Sequence, residues 1–263
     1  MAKKKILIYT VPFSGHLNVL QEAIKKWGSE FDVRLVITGW RNIPADLTHK
    51  KIDTVFLEKS ELKETDPALW TFPRIADLFS DSLRIAEDFS PDLILYDFFS
   101  LEGYFVGKKL NIPYWCSIPA MIGPFLSKDY LSKKLQNAGN KKAIERIKKE
   151  HDISLDLEKV EMVSDGLYLP GELNLLWSYR TLTPKNFLLH RANRPYEFVG
   201  CGMADCLRKK ALPKRPLVYF SLGTVVMNNL WNQQAEVRPA LIRFIEAFAK
   251  CSAERSIDVL FVN

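Results

Sequence analysis

The sequence has 263 residues, of which 47% are hydrophobic and 26% charged, which is typical of a globular protein and excludes a disordered or fibrous chain. The formal net charge of +6 comes largely from lysines between 128 and 149 that fall on the polar face of a predicted helix. Since no nucleic-acid-binding motif accompanies them, a solvated helix face is favoured over a contact with RNA or phospholipid. No apolar run approaches the roughly 20 residues that cross a bilayer.

The first half of the chain alternates between strand and helix patterns. Ile6–Val11 is a β-branched and aromatic run, and Leu17, Leu20, Ile24 and Trp27 then recur at helical spacing. Further strands are predicted at 31–39, 54–57, 92–97 and 112–118, with helices at 75–89 and 101–110 between them. This alternation predicts an α/β fold with a doubly wound parallel sheet, Rossmann-like, of strand order 3-2-1-4-5.

The last part of the chain predicts a second, smaller unit. Residues 1–199 form the first predicted domain, and residues 200–215, which contain glycines, a proline and a basic run, form the linker. Residues 216–263 read as strand, helix (239–250) and strand, which is one βαβ unit and therefore an incomplete second Rossmann-like unit. Two strands and one helix cannot cover their own apolar faces, so exposed apolar surface is expected, which would bind a hydrophobic dye or lead to self-association.

The four cysteines do not suggest a metal or redox site. No two of them form a Cys-x-x-Cys pair, and no histidine lies at zinc spacing from any of them; they are Cys116, Cys201, Cys206 and Cys251. Free thiols in a reducing compartment are expected, which agrees with a cytoplasmic protein without a secretory signal.

Two side chains at strand ends are candidates for chemistry. His16 follows the first strand in the turn Pro12–His16, and its ordinary pKa of about 6.5 suits proton abstraction at neutral pH. Asp97 ends the fourth strand, which neighbours the first across the switch point of the predicted sheet. A carboxylate bonded to one ring nitrogen would leave the other free as a general base. The structural alternatives, in which His16 caps a helix and Asp97 is a helix N-cap, remain open.

The motifs around these residues resemble those of the UDP-glycosyltransferase superfamily, most closely its macrolide-glycosyltransferase-like branch. The matching segments are Val11–Asn18, Pro91–Asp97 with Ile112-Pro113, Phe198–Gly200 and Val218–Thr224. The resemblance implies the GT-B fold, with an acceptor-binding and a donor-binding Rossmann-like domain. Val19 departs from the proline usual in the family, and the downstream donor signature is not found before Asn263. The chain is therefore expected to be truncated in the donor domain.

The resemblance implies inverting transfer of a sugar from a nucleotide sugar, a UDP-sugar on the family pattern, to a hydroxyl of a small lipophilic acceptor. His16 would be the base and Asp97 its partner, with no metal and no cofactor. The expected acceptor-binding residues are Phe13, Ser14, Gly15, Trp70, Phe72, Met121, Ile122 and Phe125, and the expected donor-binding residues are Ser221, Gly223 and Thr224. The aromatic residues could instead belong to the core, and 221–224 could be an ordinary turn.

Two other classes of function are alternatives to sugar transfer. The chain could be a catalytically inactive acceptor-binding module, or one that works with a separate chain carrying the donor site. A Rossmann-type oxidoreductase is disfavoured because Phe13-Ser14-Gly15 stands where Gly-x-Gly-x-x-Gly would be needed.

Overall fold

The computed structural model divides the chain into two compact units, Met1–Met203 and Ala204–Asn263. Most of the predicted linker lies outside the described residues, so the predicted domain boundaries remain predictions. The structure describes residues 2–39, 53–58, 67–119, 128–163, 166–183, 185, 195–200, 215–221 and 236–262.

The first unit is built on a seven-stranded sheet of order β3-β2-β1-β4-β5-β8-β9, in which every neighbouring pair is parallel. This confirms the predicted α/β fold and the order of its first five strands, and it adds two short strands. The elements in chain order are β1 (Lys5–Thr10), α1 (Ser14–Trp27), β2 (Asp32–Gly39), β3 (Asp53–Glu58), α2 (Pro67–Phe89), β4 (Leu93–Asp97), α3 (Glu102–Leu110), β5 (Tyr114–Ile118), α4 (Lys128–Leu135), α5 (Ala138–His151), β6 (Glu161–Val163), β7 (Gly166–Tyr168), β8 (Leu173–Leu176) and β9 (Tyr196–Phe198).

The two faces of the sheet bury two separate hydrophobic clusters. Successive side chains of a strand point to opposite faces, and in β1 Ile6 and Ile8 pack with α1 while Leu7 and Tyr9 pack with α2 and α3. The central strands are buried on both sides, which is why they read as nearly continuous apolar runs. The packing on both faces of the sheet holds the carboxyl ends of β1 and β4 side by side.

Helix α3 approaches the sheet closely because two glycines face it. A Cβ on Gly103 would lie 2.5 Å from the Cβ of Tyr96, and one on Gly107 would lie 2.8 Å from that of Tyr114. Both contacts are shorter than real Cβ atoms allow. The close approach fixes the start of α3, and with it the turn between β4 and α3.

The second unit contains β10 (Leu217–Ser221), α6 (Val237–Glu254) and β11 (Asp258–Val262), with β10 parallel to β11. These are the two strands and the helix predicted from the sequence. In the described residues of this unit, Leu217, Ile242 and Phe244 are exposed, and Ser252 is the buried residue of α6. In the described parts of both units, no helix combines the length and the apolar character that a membrane span requires.

Helix α5 packs on α2 through a partly buried histidine. The His151 ring meets the Phe79 ring edge to face at 4.5 Å, and its Nε2 accepts no hydrogen bond from the described residues. Burial lowers the pKa of His151 below its ordinary value, against a smaller upward effect of Glu150; Lys109 and Arg146 lower it further. The folded state therefore favours the neutral ring.

Replacing Gly103 with alanine should destabilise the protein, because the new methyl group overlaps Tyr96 on the strand beneath it. We expect the free energy of unfolding to fall by about 1–3 kcal/mol, the usual effect of overpacking. Gly15→Ala is the matched control, because nothing lies within 4 Å of its Cβ position, and it should be neutral or stabilising. Urea unfolding of both variants measures the difference, and equal stabilities would contradict the close packing of α3.

Acidification should destabilise the protein partly through His151. Because its pKa is lowered on folding, its contribution is fully present above the ordinary pKa of about 6.5 and is lost as the pH falls through the interval between the two values. His151→Gln should therefore lose less unfolding free energy than the native chain between pH 7 and pH 5, measured by urea unfolding. An identical loss in both proteins would contradict the burial of a neutral ring.

Candidate active site

The candidate site lies where β1 and β4 end next to each other. These strands pair in parallel, with Tyr9 opposite Tyr96, so the residues that follow them share one edge of the sheet. After β1, the carbonyl of Phe13 accepts hydrogen bonds from the backbone N–H groups of His16 and Leu17, each at 2.9 Å. These bonds begin α1 and place His16 in its first turn.

The structure brings His16 and Asp97 into direct contact. Nδ1 of His16 lies 2.8 Å from Oδ2 of Asp97. The carboxylate side chain is 0% exposed and that of His16 is 13% exposed, so part of the His16 side chain remains accessible to solvent. A buried carboxylate accepts hydrogen bonds only, so it favours the tautomer with the proton on Nδ1 and leaves Nε2 as an acceptor.

The second oxygen of Asp97 holds the chain that follows β4. Oδ1 accepts a hydrogen bond from the backbone N–H of Phe99 at 2.9 Å, which closes a turn of the kind that Asp side chains commonly form. The N-cap of α3 is Leu101 and that of α1 is Phe13, and neither has a side-chain cap bond. Asp97 therefore connects the turn to His16, and neither His16 nor Asp97 occupies an N-cap position.

Three phenylalanines surround the imidazole. The rings of Phe98 and Phe99 stack on His16 at centroid distances of 5.4 and 5.3 Å, and Phe13 is tilted against it at 5.7 Å. Phe98 is buried, Phe99 is half-buried, and Phe13 is 38% exposed. The imidazole thus lies in an apolar surrounding whose outer parts are Phe13 and Phe99. Phe98 and Phe99 were not among the predicted site residues, although their position directly after Asp97 was the available signal.

The other predicted binding residues lie in the core, at the ends of other elements, or outside the described residues. Phe72 is fully buried in the core cluster of α2 and α3, which agrees with the core alternative and gives it no open surface. Trp70 lies in α2, Ser14 and Gly15 open α1, and Ser221 is the last residue of β10. The remaining predictions concern residues outside the described part of the chain: Met121, Ile122, Phe125, Gly223 and Thr224.

The described residues contain two free cysteines and no metal-binding cluster. Cys116 is buried and Cys251 exposed, both as free thiols, and burial raises the pKa of Cys116 well above its usual range. Cys201 and Cys206 lie outside the described residues. Within the described ranges, no group of three or more His, Cys, Asp or Glu residues is arranged to hold a metal ion.

Comparison with known proteins finds one curated sequence relative. The NDP-glycosyltransferase YjiC of Bacillus subtilis (strain 168) is 31% identical over 181 residues, which cover 65% of this chain and 40% of YjiC. The chain thus spans less than half the length of this relative. No family model matches the sequence.

Solved structures of glycosyltransferases share the fold. The glycosyltransferase of kitacinnamycin has a TM-score of 0.66 at 17% identity and aligns with 99% of this chain and 66% of its own. The calicheamicin glycosyltransferase CalG4 has a TM-score of 0.61 at 14% identity, over 85% of this chain and 59% of its own. The spinosyn rhamnosyltransferase SpnG, complexed with thymidine diphosphate, has a TM-score of 0.57 at 16% identity, over 98% and 65%.

The solved structures have the fold that the motifs predict, and the sequence relative is similar to part of this chain. At these low identities the solved structures establish the fold alone, and the match to YjiC is a similarity over part of both sequences. Over the part of its relatives that it spans, the chain has the GT-B type of Rossmann-like fold, and its sequence is similar to that of an NDP-glycosyltransferase.

Proposed function

We propose that this chain serves the transfer of a sugar from a nucleotide sugar to a hydroxyl group of a small lipophilic acceptor, with inversion at the anomeric carbon. The observation that carries the proposal is the 2.8 Å contact between His16 Nδ1 and buried Asp97. The name of YjiC, an NDP-glycosyltransferase, and the thymidine diphosphate bound to SpnG support a nucleotide-sugar donor.

In the proposed reaction His16 acts as the general base. Its Nδ1–H donates to Asp97, so the lone pair of Nε2 accepts the proton of the acceptor hydroxyl. The acceptor oxygen forms a bond to the anomeric carbon while the bond to the nucleoside diphosphate breaks, and the leaving phosphate oxygen takes that electron pair. A single displacement inverts the configuration and needs no covalent intermediate. Asp97 stabilises the imidazolium that forms.

The surroundings of His16 support an apolar acceptor. Phe13 and Phe99 have rings 6.4 Å apart in an edge-to-face arrangement, and both lie beside the imidazole. Apolar walls beside a few polar groups are typical of small-molecule sites. An acceptor that covered Phe13 would also exclude water from the base, which favours proton transfer from the acceptor over transfer from solvent.

The donor side of the proposal rests on the motif at the end of β10. Ser221 ends β10, and Gly223 and Thr224 come after it in the sequence; at such a position backbone N–H groups and a hydroxyl can contact a diphosphate. The cytoplasmic location of the protein remains a prediction from its sequence.

His16→Ala should abolish nearly all sugar transfer, because general-base catalysis contributes about 10²- to 10⁴-fold to a rate. Asp97→Asn should cost somewhat less, since the imidazole remains but loses the carboxylate that orients it. Lys26→Ala, an exposed position on the same helix, is the matched control and should retain full activity. Initial rates with a radiolabelled nucleotide sugar measure the effect, and unchanged activity in His16→Ala would remove the base from the proposal.

A bound donor should stabilise the folded chain. At a ligand concentration 100 times the dissociation constant the gain is about 2.7 kcal/mol, which a thermal unfolding scan with a panel of UDP- and TDP-sugars detects as a higher midpoint. Stabilisation by lipophilic alcohols without any response to nucleotide sugars would replace the transferase proposal with an acceptor-binding module that relies on a separate donor chain.

A further inference from the structure

A fully buried ion pair lies behind the candidate site. Arg74 of α2 donates from Nε to Oε1 of Glu102 in the first turn of α3 at 3.0 Å, and both side chains are 0% exposed. Removing two charges from water costs several kcal/mol per ion, and apolar residues of similar volume often serve stability equally well. Fold stability alone therefore does not account for a pair at this position.

The arginine also holds the turn that carries the site. Nη2 of Arg74 donates to the carbonyl oxygen of Phe99, while the N–H of Phe99 donates to Asp97 Oδ1. The backbone of Phe99 is thus held from one direction by Asp97 and from the other by Arg74. Its ring stacks on His16 at 5.3 Å, so this residue contacts both members of the candidate dyad.

The connection runs in one series of bonds from the ion pair to the base. Glu102 orients the guanidinium, the guanidinium fixes the Phe99 carbonyl, and the Phe99 N–H fixes one oxygen of Asp97. The other oxygen of Asp97 faces Nδ1 of His16. If the Phe99 carbonyl loses its donor, the turn can rotate, and the carboxylate and the stacked ring lose their fixed positions relative to the imidazole.

Building on the proposed function, we propose that Arg74, oriented by Glu102, is a positioning residue that maintains the Nδ1–H tautomer of His16 through Phe99 and Asp97. Arg74 does not touch the reacting atoms. Arginine suits this role better than lysine because its planar fork serves two acceptors in fixed directions at once.

The test is the ¹⁵N spectrum of the His16 ring, with its signals assigned by their loss in His16→Gln. In the native chain with a neutral ring, Nδ1 should be the protonated nitrogen and Nε2 the unprotonated one. In Arg74→Met/Glu102→Leu, which removes both charges and keeps similar volumes, the two signals should move toward each other as the tautomers exchange. Where the native chain transfers sugar, kcat should fall about 10²-fold with KM for the acceptor unchanged, as expected for a misplaced catalytic group.

Two further variants separate positioning from general stability. Arg74→Lys keeps a cation beside Glu102 but lacks the fork, so it should fold and still show movement of the two signals. Arg146→Met removes another ion pair of α2, between Arg146 Nη1 and Asp77 Oδ1 at 2.6 Å, and should leave the native spectrum unchanged. Because Arg146→Met also removes an ion pair from α2, comparing it with the Arg74 variants separates an effect on the turn from a general loss of interactions on α2.

The proposal is overturned if a cooperatively folded Arg74→Met/Glu102→Leu, or Arg74→Lys should the double variant not fold, retains the native ring spectrum. It is equally overturned if Arg146→Met changes that spectrum as much. The spectrum needs no sugar transfer, so a native chain with a fixed Nδ1–H tautomer and no activity would contradict the proposed function while leaving the positioning role of Arg74 intact.

Discussion

The hydrogen bond between Asp97 and His16 is the interaction on which the site depends, and it joins residues 81 positions apart in the chain. It requires β1 and β4 to lie side by side, which a parallel sheet achieves by crossing over between them. Because β4 is buried on both faces, its end cannot shift along β1 without moving a whole row of core side chains to the wrong face. The hydrophobic core therefore sets the geometry of a polar contact at its edge.

Much of the fold could be predicted because parallel buried strands leave a plain apolar signal. The runs at β1 and β4 are continuous, and the amphipathic helices between them have the expected spacing. The strands β8 and β9 were missed because they are short and because a polar residue interrupts β8. Asn174 is fully buried, and its side chain bonds to the backbone of Gly171 and Pro195, whereas in a sequence an asparagine indicates a turn.

Part of the candidate site could likewise be predicted from the sequence, and part could not. His16 and Asp97 stand at element ends, so topology alone predicts that they approach each other. The stacking of Phe98 and Phe99 on the imidazole depends on the backbone path after β4, which no periodicity encodes. Phe72 illustrates the converse: an aromatic residue at the start of a helix can face a pocket or the core, and here it faces the core.

The distribution of buried charge explains why one turn is held so firmly. Asp97, Arg74 and Glu102 are all fully buried, and a buried charge persists only when hydrogen bonds replace water. Asp97, which bonds His16, and Arg74, which pairs with Glu102, each place one hydrogen bond on the backbone of Phe99. The turn therefore cannot move without leaving a buried polar group with fewer partners. Apolar packing could stabilise this region as well, but packing forces are not directional and would allow several orientations of the turn. Directional bonds select one, and a base that must present a single ring nitrogen to its substrate requires that selection more than it requires additional stability.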